Sequence, residues 1–378
     1  MGHCLKEIAG VSLGDLKTYY YKKPFELLLG GSLDRFHLVY ETWGELSEKR
    51  DNAILLFSGL SASSHASSHH RQDLPGWWEA MIGPGEALDT DTFFIICANH
   101  LGSCFGSLGP GSTNEATGKA FGPDFPPIMI RDMSRAAHEL VSHLGIEKLH
   151  GVIGTSLGGM LTLEYAACFP DEVGSLLMIS ATGRTGPQSI AFRYVQRLVI
   201  LNDPRFCNGW YYDQAEKPES AMVIARQIGN ITYRSRQEWN KRFGRRRTGR
   251  GFNFGVDFQV EAYLDHMGHK LGDSFDPNSF LYLSKAMDLY SLGWGFSTYH
   301  QGVQRIKCRS LIIGVNSDIL FPLDEQVELY KILLSAGVEA GLEVLDSPSG
   351  HDAFLIDVTF FHEKVKAFFE GQGRGTEL

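Results

Sequence analysis

Residues 149–169 read LHGVIGTSLGGMLTLEYAACF. LHGVI (149–153) is a short apolar run of the kind a buried strand makes, and MLTLEYAACF (160–169) has the length and composition of a helix. Between them stands Gly-Thr-Ser-Leu-Gly-Gly (154–159), a G-x-S-x-G turn with Ser156 at its apex. A strand that turns directly into a helix leaves no room for side chains two residues either side of the serine, so glycine is needed at both places. The turn lifts the Ser156 hydroxyl to the top of the sheet. The helix start beside it favours developing negative charge. In this context the motif is a nucleophile elbow.

A serine hydroxyl needs a base to take its proton, and the base needs an acid to orient it. Sheets of this kind supply them in the chain order Ser, Asp or Glu, His. Asp318 follows the apolar run SLIIGV (310–315), and His351 follows LEVLD (342–346). Both stand where a strand ends and a loop begins, so Ser156, Asp318 and His351 are the expected triad. An oxyanion hole needs two converging backbone N–H groups; Leu157, next to the nucleophile, and Leu60, after NAILLFSG, are the candidates. His65, His69 and His70 lie in the same loop. A metal site there is disfavoured: no acidic ligand cluster is evident, and the triad needs no metal.

Outward from the elbow the pattern alternates. DRFHLVYETWG (34–44), NAILLFSGL (52–60), TFFIICAN (92–99) and GSLLMIS (174–180) read as strands. MSRAAHELVSHLG (133–145) has helical spacing with Gly145 as C-cap, and helices are expected at 323–336 and 357–370. This predicts an α/β-hydrolase fold, a mostly parallel, doubly wound sheet. The middle differs: PESAMVIARQI, VDFQVEAYLDHM and NSFLYLSKAMDLY are amphipathic helical pieces with no buried strand between them. The expected organisation is a core of residues 1–180 and 301–378, with a helical lid inserted at 181–300. KRFGRRRTGR (241–250) reads as a solvated loop, with a phosphate contact for a nucleotide-bearing cofactor as the alternative.

Composition bounds the rest. The chain has 378 residues, 43% hydrophobic and 21% charged, as in an ordinary globular enzyme. A net charge of −9 argues against general nucleic-acid binding, while leaving room for a local basic pocket. No apolar run is long enough to span a membrane, and MGHCLKEIAG lacks the apolar stretch of a secretory leader. Six scattered cysteines read as free thiols in a reducing compartment. A cytoplasmic protein is expected.

With the elbow, DILFP and GHDAFL in place, the chain resembles the homoserine O-acyltransferase family of the α/β-hydrolase superfamily. The resemblance runs over nearly the whole chain, through PGWWEAMIGPGEALDTDTFF (75–94), ANHLGSCFGSLGP (98–110), ATGKAFGPDFP (116–126), IARQIGNITYRS (224–235) and FDPNSFLYLSKAMD (275–288). It implies an acyl-CoA co-substrate (succinyl-CoA or acetyl-CoA), no bound cofactor, L-serine or L-homoserine as acceptor, ping-pong transfer through Ser156, and a homodimer. It also implies substrate-binding roles for Arg226 and Asp352, which on their own read as a surface-helix arginine and a structural aspartate. Leu320 stands where homoserine succinyltransferases of the family have arginine. GLSASS (59–64) and SIAFRYVQR (189–197) resemble the serine O-succinyltransferase branch, where Arg193 is linked to acyl-CoA choice. An arginine can pair with the carboxylate that ends a succinyl group, and an acetyl group offers it nothing. Otherwise Arg193 is a helix-surface residue. Acetyl transfer to serine or homoserine, and a plain esterase or thioesterase, stay open.

Overall fold

The computed structural model describes residues 15–70, 73–249, 254–272 and 275–371. Eight strands make one sheet: β1 Lys17–Tyr21, β2 Phe36–Trp43, β3 Ala53–Phe57, β4 Phe94–Ala98, β5 Gly151–Thr155, β6 Ser175–Ile179, β7 Arg309–Val315 and β8 Ala340–Leu345. Their order is β1-β2-β4-β3-β5-β6-β7-β8. β1 and β2 pair antiparallel, as do β2 and β4. Every later pairing is parallel. The loops leaving β3, β5, β7 and β8 therefore converge on one edge of the sheet.

Strand alternation divides the interior into two layers. Leu55, Phe57, Val152, Leu176 and Met178 pack with Met133 and Leu140 of α1 (Ile130–His143) and with Leu161 and Tyr165 of α2 (Leu157–Cys168). Ile54, Leu56, Ile153, Leu177 and Ile179 point the other way, onto Trp78 and Met81. α2 is buried along nearly its whole length, as its apolar circumference requires. α1 begins before the expected MSRAAHELVSHLG. Asp132 accepts from the Met129 N–H at 3.0 Å, a start signal formed by a side chain inside the helix. Gly145, at φ 72°, stands just past the α1 C-cap residue Leu144, where a left-handed residue ends the helix.

Between β6 and β7 the chain carries α3 Pro187–Leu201, α4 Glu219–Tyr233, α5 Arg236–Arg242, α6 Gln259–Gly272, α7 Pro277–Asp288 and α8 Tyr299–Val303. Two of these helices are tied to the edge where the loops converge. Ser189 of α3 donates to Leu320 O beyond β7, and Ser235, at the start of α5, donates to Pro348 O beyond β8. The chain then closes with α9 Leu323–Ser335, α10 Ala353–Ile356 and α11 Val358–Phe369. Val365, Phe368 and Phe369 of α11 seal the second layer.

Candidate active site

The elbow glycines are fixed by backbone crowding. A β-carbon on Gly154 would lie 2.2 Å from Gly158 O, and one on Gly158 would lie 2.0 Å from Phe57 O. Ser156 has φ 57° and ψ −120°, in the left-handed half of the map, at a cost of about 1–3 kcal/mol. Its N–H donates to Ile179 O at 3.0 Å, so β6 holds the strained residue in place.

The structure brings Ser156, His351 and Asp318 into one hydrogen-bonded line. Ser156 Oγ lies 2.9 Å from His351 Nε2, and His351 Nδ1 lies 2.7 Å from Asp318 Oδ2. Asp318 Oδ1 accepts from the backbone N–H groups of Leu320 and Phe321 at 2.8 and 2.9 Å, so the turn after β7 fixes the carboxylate. Burial works to lower the His351 pKa. The charge and hydrogen bond of Asp318, and the charge of Asp352, outweigh it and raise the imidazole above its ordinary value. The site therefore stabilises an imidazolium once His351 has taken a proton.

Leu157 opens α2, so its N–H is one of the helix's unpaired first-turn donors. The loop with Leu60 passes beside Ser156: a β-carbon on Gly59 would lie 4.0 Å from its Cβ. The loop is braced from below. Ser64 donates to Glu41 Oε1 at 2.8 Å, His65 Nδ1 and His69 Nε2 lie 2.9 and 3.0 Å from Glu41 Oε2, and the Ser64 N–H donates to Asn99 Oδ1. His70 instead pairs with Asp15. The sequence did not reveal Glu41 as the shared partner of His65 and His69, because it arrives from β2 and not from their own loop. Among the described residues no group of three or more His, Cys, Asp or Glu is arranged to hold a metal ion.

Arg226 of α4 and Arg193 of α3 are both buried, at 3% and 4% exposure, which excludes the surface-helix reading of either. Arg226 Nη2 donates to Ser61 Oγ at 3.3 Å, while its Nε and Nη1 have no partner. Arg193 Nε donates to Asp288 Oδ1 at 2.6 Å, while Nη1 and Nη2 have none. Asp288 is shared with Arg197, so one carboxylate serves two guanidinium groups. The charge of Arg193 reaches His351, working to lower its pKa. Asp352 pairs with Arg234 at 3.1 Å; burial raises its carboxyl pKa against the charges of Arg234, His351 and Arg226. Arg234, Arg197, Asp288 and Glu41 were not singled out from the sequence. Arg193 and Arg197, four apart on a helix, were a usable signal for a shared face. Asp288 was not, because it lies on another helix.

The alpha/beta hydrolase fold family matches residues 52–358. The homoserine O-acetyltransferase of Symbiobacterium thermophilum is 44% identical over 92% of this chain and 92% of its own length. The serine O-succinyltransferase of Frateuria aurantia is 43% identical over 94% of this chain and 99% of its own length. The crystal structure of homoserine O-acetyltransferase from Bacillus anthracis superposes with a TM-score of 0.88 at 25% identity, covering 96% of this chain and 99% of that one. Esterase E22 superposes at 0.85 and 25%, covering 94% of this chain and all of that one. The fold and site define an α/β-hydrolase. Within that superfamily the chain belongs to the amino-acid O-acyltransferase family of homoserine O-acetyltransferases and serine O-succinyltransferases. Among the described residues, no helix is long and apolar enough to cross a membrane.

Proposed function

We propose that this protein is an acyl-CoA-dependent L-serine O-succinyltransferase working by ping-pong transfer. Ser156 Oγ attacks the thioester carbonyl of succinyl-CoA as His351 Nε2 takes its proton, with Asp318 holding the ring. The Leu60 and Leu157 N–H groups receive the oxyanion. The C–S bond breaks, CoA leaves with the proton from His351, and Ser156 carries a succinyl ester. The serine hydroxyl then gives its proton to His351 and attacks that ester. Ser156 Oγ leaves and recovers the proton, and O-succinyl-L-serine is released. Transfer must outrun hydrolysis, which suits a site roofed by α3 and α4. Arg226 takes the acceptor carboxylate, and Asp352 its ammonium group.

The observation that carries the donor assignment is the pair of buried arginines with unpartnered N–H groups. Succinyl-CoA and serine together bring two carboxylates, one for each. Acetyl-CoA brings none, and would leave Arg193 buried with open donors, at a cost of about 1–3 kcal/mol. Acetyl transfer remains the second reading, favoured by the names of relatives equally similar to this chain. The test is kcat/KM for succinyl- and acetyl-CoA, each with L-serine and L-homoserine, in wild type and Arg193→Ala. Succinyl-CoA use should fall roughly 10- to 100-fold more than acetyl-CoA use. Equal losses would remove the argument for succinate. Free succinate as the main product whether or not serine is present would replace transfer by hydrolysis.

A cytoplasmic homodimer completes the proposal. Tyr194, Val195 and Leu201 of α3, with Ile224 and Ile231 of α4, are exposed apolar residues and form the surface for a second copy.

A further inference from the structure

The arginine-rich stretch starts inside α5 and leads away from the catalytic edge. Ser235 caps α5 by accepting from the Glu238 N–H at 3.1 Å, and its own hydroxyl bonds Pro348 O on the turn that carries His351. From there an ion-pair line follows one face of the helix. Asp352 Oδ2 lies 3.1 Å from Arg234 Nη2, Glu238 Oε1 lies 2.9 Å from Arg234 Nη1, and Arg242 Nη1 lies 3.9 Å from the same Glu238 oxygen. Lys241 and Arg242 thus form the last turn of a helix, not a loop as the sequence suggested.

Arg236, Lys241 and Arg245 are exposed and form no ion pair with any described residue. The Arg242 guanidinium lies over the Tyr263 ring, 4.2 Å from its centroid, and stacking leaves its N–H edge available to an oxyanion. Residues 234–247 hold seven basic side chains and a single acid, in a chain whose net charge is −9. The rest of the surface repels a polyanion, and this strip attracts one.

We propose that the strip Lys241, Arg242 and Arg245, at the end of α5 and just beyond it, binds the diphosphate and 3′-phosphate of the CoA donor. This rests on the acyl-CoA reading above and adds the place where the nucleotide end is held. The pantetheine arm separates the thioester from the phosphates, so a phosphate site must stand off from Ser156. Lys241, Arg242 and Arg245 do, since they lie at or beyond the far end of α5, about 10 Å along the helix from its start beside the catalytic turn. Arginine suits the task because its planar fork matches phosphate oxygens two at a time.

The test is calorimetric titration with desulfo-CoA, 3′,5′-ADP, pantetheine and inorganic phosphate, at low and high salt. Three proteins are compared: wild type, the double variant Lys241→Glu with Arg245→Glu, and Lys49→Glu, an exposed charge reversal before β3 at the opposite edge of the sheet. The double variant should weaken desulfo-CoA and 3′,5′-ADP by about tenfold or more, with the difference shrinking at high salt. Lys49→Glu should change them less than about twofold. Lys241→Ala with Arg245→Ala, a milder change, should give a smaller loss in the same direction. Equal weakening by Lys49→Glu, or inorganic phosphate binding as tightly as desulfo-CoA, would overturn the proposal. Undiminished binding of desulfo-CoA by both double variants would remove the strip and leave the acyl-CoA reading standing. A wild type that binds no desulfo-CoA and takes no acyl group from CoA would remove the reading, and the strip with it.

Discussion

His351 stands between two carboxylates that act on it differently. Asp318 holds its Nδ1 by a hydrogen bond, and Asp352, the next residue in the chain, acts through charge. A base must be neutral, so kcat/KM should rise with pH through the His351 pKa, at a value above the ordinary 6.5 because both acids raise it. Asp352→Asn removes one of these charges, so the acid limb should move to lower pH; an unmoved limb would deny Asp352 that influence. Arg193 works in the opposite direction, and its removal should shift the limb upward. At this scale the sequence was informative where a residue sits in a short strand-end motif, as Ser156, Asp318 and His351 do. It was silent where a residue matters through a distant partner. Asp288 meets Arg193 across 95 positions, and Glu41 meets His69 across 28, so no local spacing announces either pair.

The elbow element depends on two glycines whose missing β-carbons would strike backbone, which cannot swing aside as a side chain can. Gly158→Ala should therefore destabilise the fold by the upper end of roughly 1–3 kcal/mol, measured as a shift in the urea midpoint. Gly249→Ala is the control, since nothing lies within 4 Å of a β-carbon there, and it should be nearly neutral. The central strands were legible as elements because they are buried on both faces and read as unbroken apolar runs. β1 was not, because KTYYY lies at the sheet edge with Lys17, Thr18 and Tyr20 exposed, and alternation over five residues is a weak signal. The end of α5 was misread because arginine-rich sequence suits a solvated helix face as well as a loop. Only the Ser235 cap and Glu238, four residues after Arg234 and four before Arg242, distinguish the two.

On the scale of the whole molecule, His100 couples acidity to folding. Burial pushes its pKa down to about 4, against hydrogen bonds the imidazole makes to the Ser58 and Gly59 backbone, which work to raise it. In the unfolded chain it titrates near 6.5, so between those values the unfolded state binds more protons, and stability falls as pH drops through that window. His100→Gln should flatten this slope, by on the order of 3 kcal/mol at its lower end, read as the difference from wild type in denaturation at pH 7 and pH 4. His37 and His150 are also lowered by burial, His65 is raised, and all three persist in the variant, so the difference isolates His100. An unchanged slope would mean that the imidazole can be charged in place. The open guanidinium donors of Arg193 and Arg226 bear on the same balance. Arg226 has only a hydroxyl as hydrogen-bond partner, and Arg193 shares one carboxylate with Arg197, so the fold carries this positive charge at some expense in the absence of a further anion. A carboxylate bound there adds its binding free energy to that of folding. On the proposed assignment, succinyl-CoA and serine are thus also stabilisers of the protein that consumes them, and a cell that runs short of them holds a more fragile copy of the catalyst.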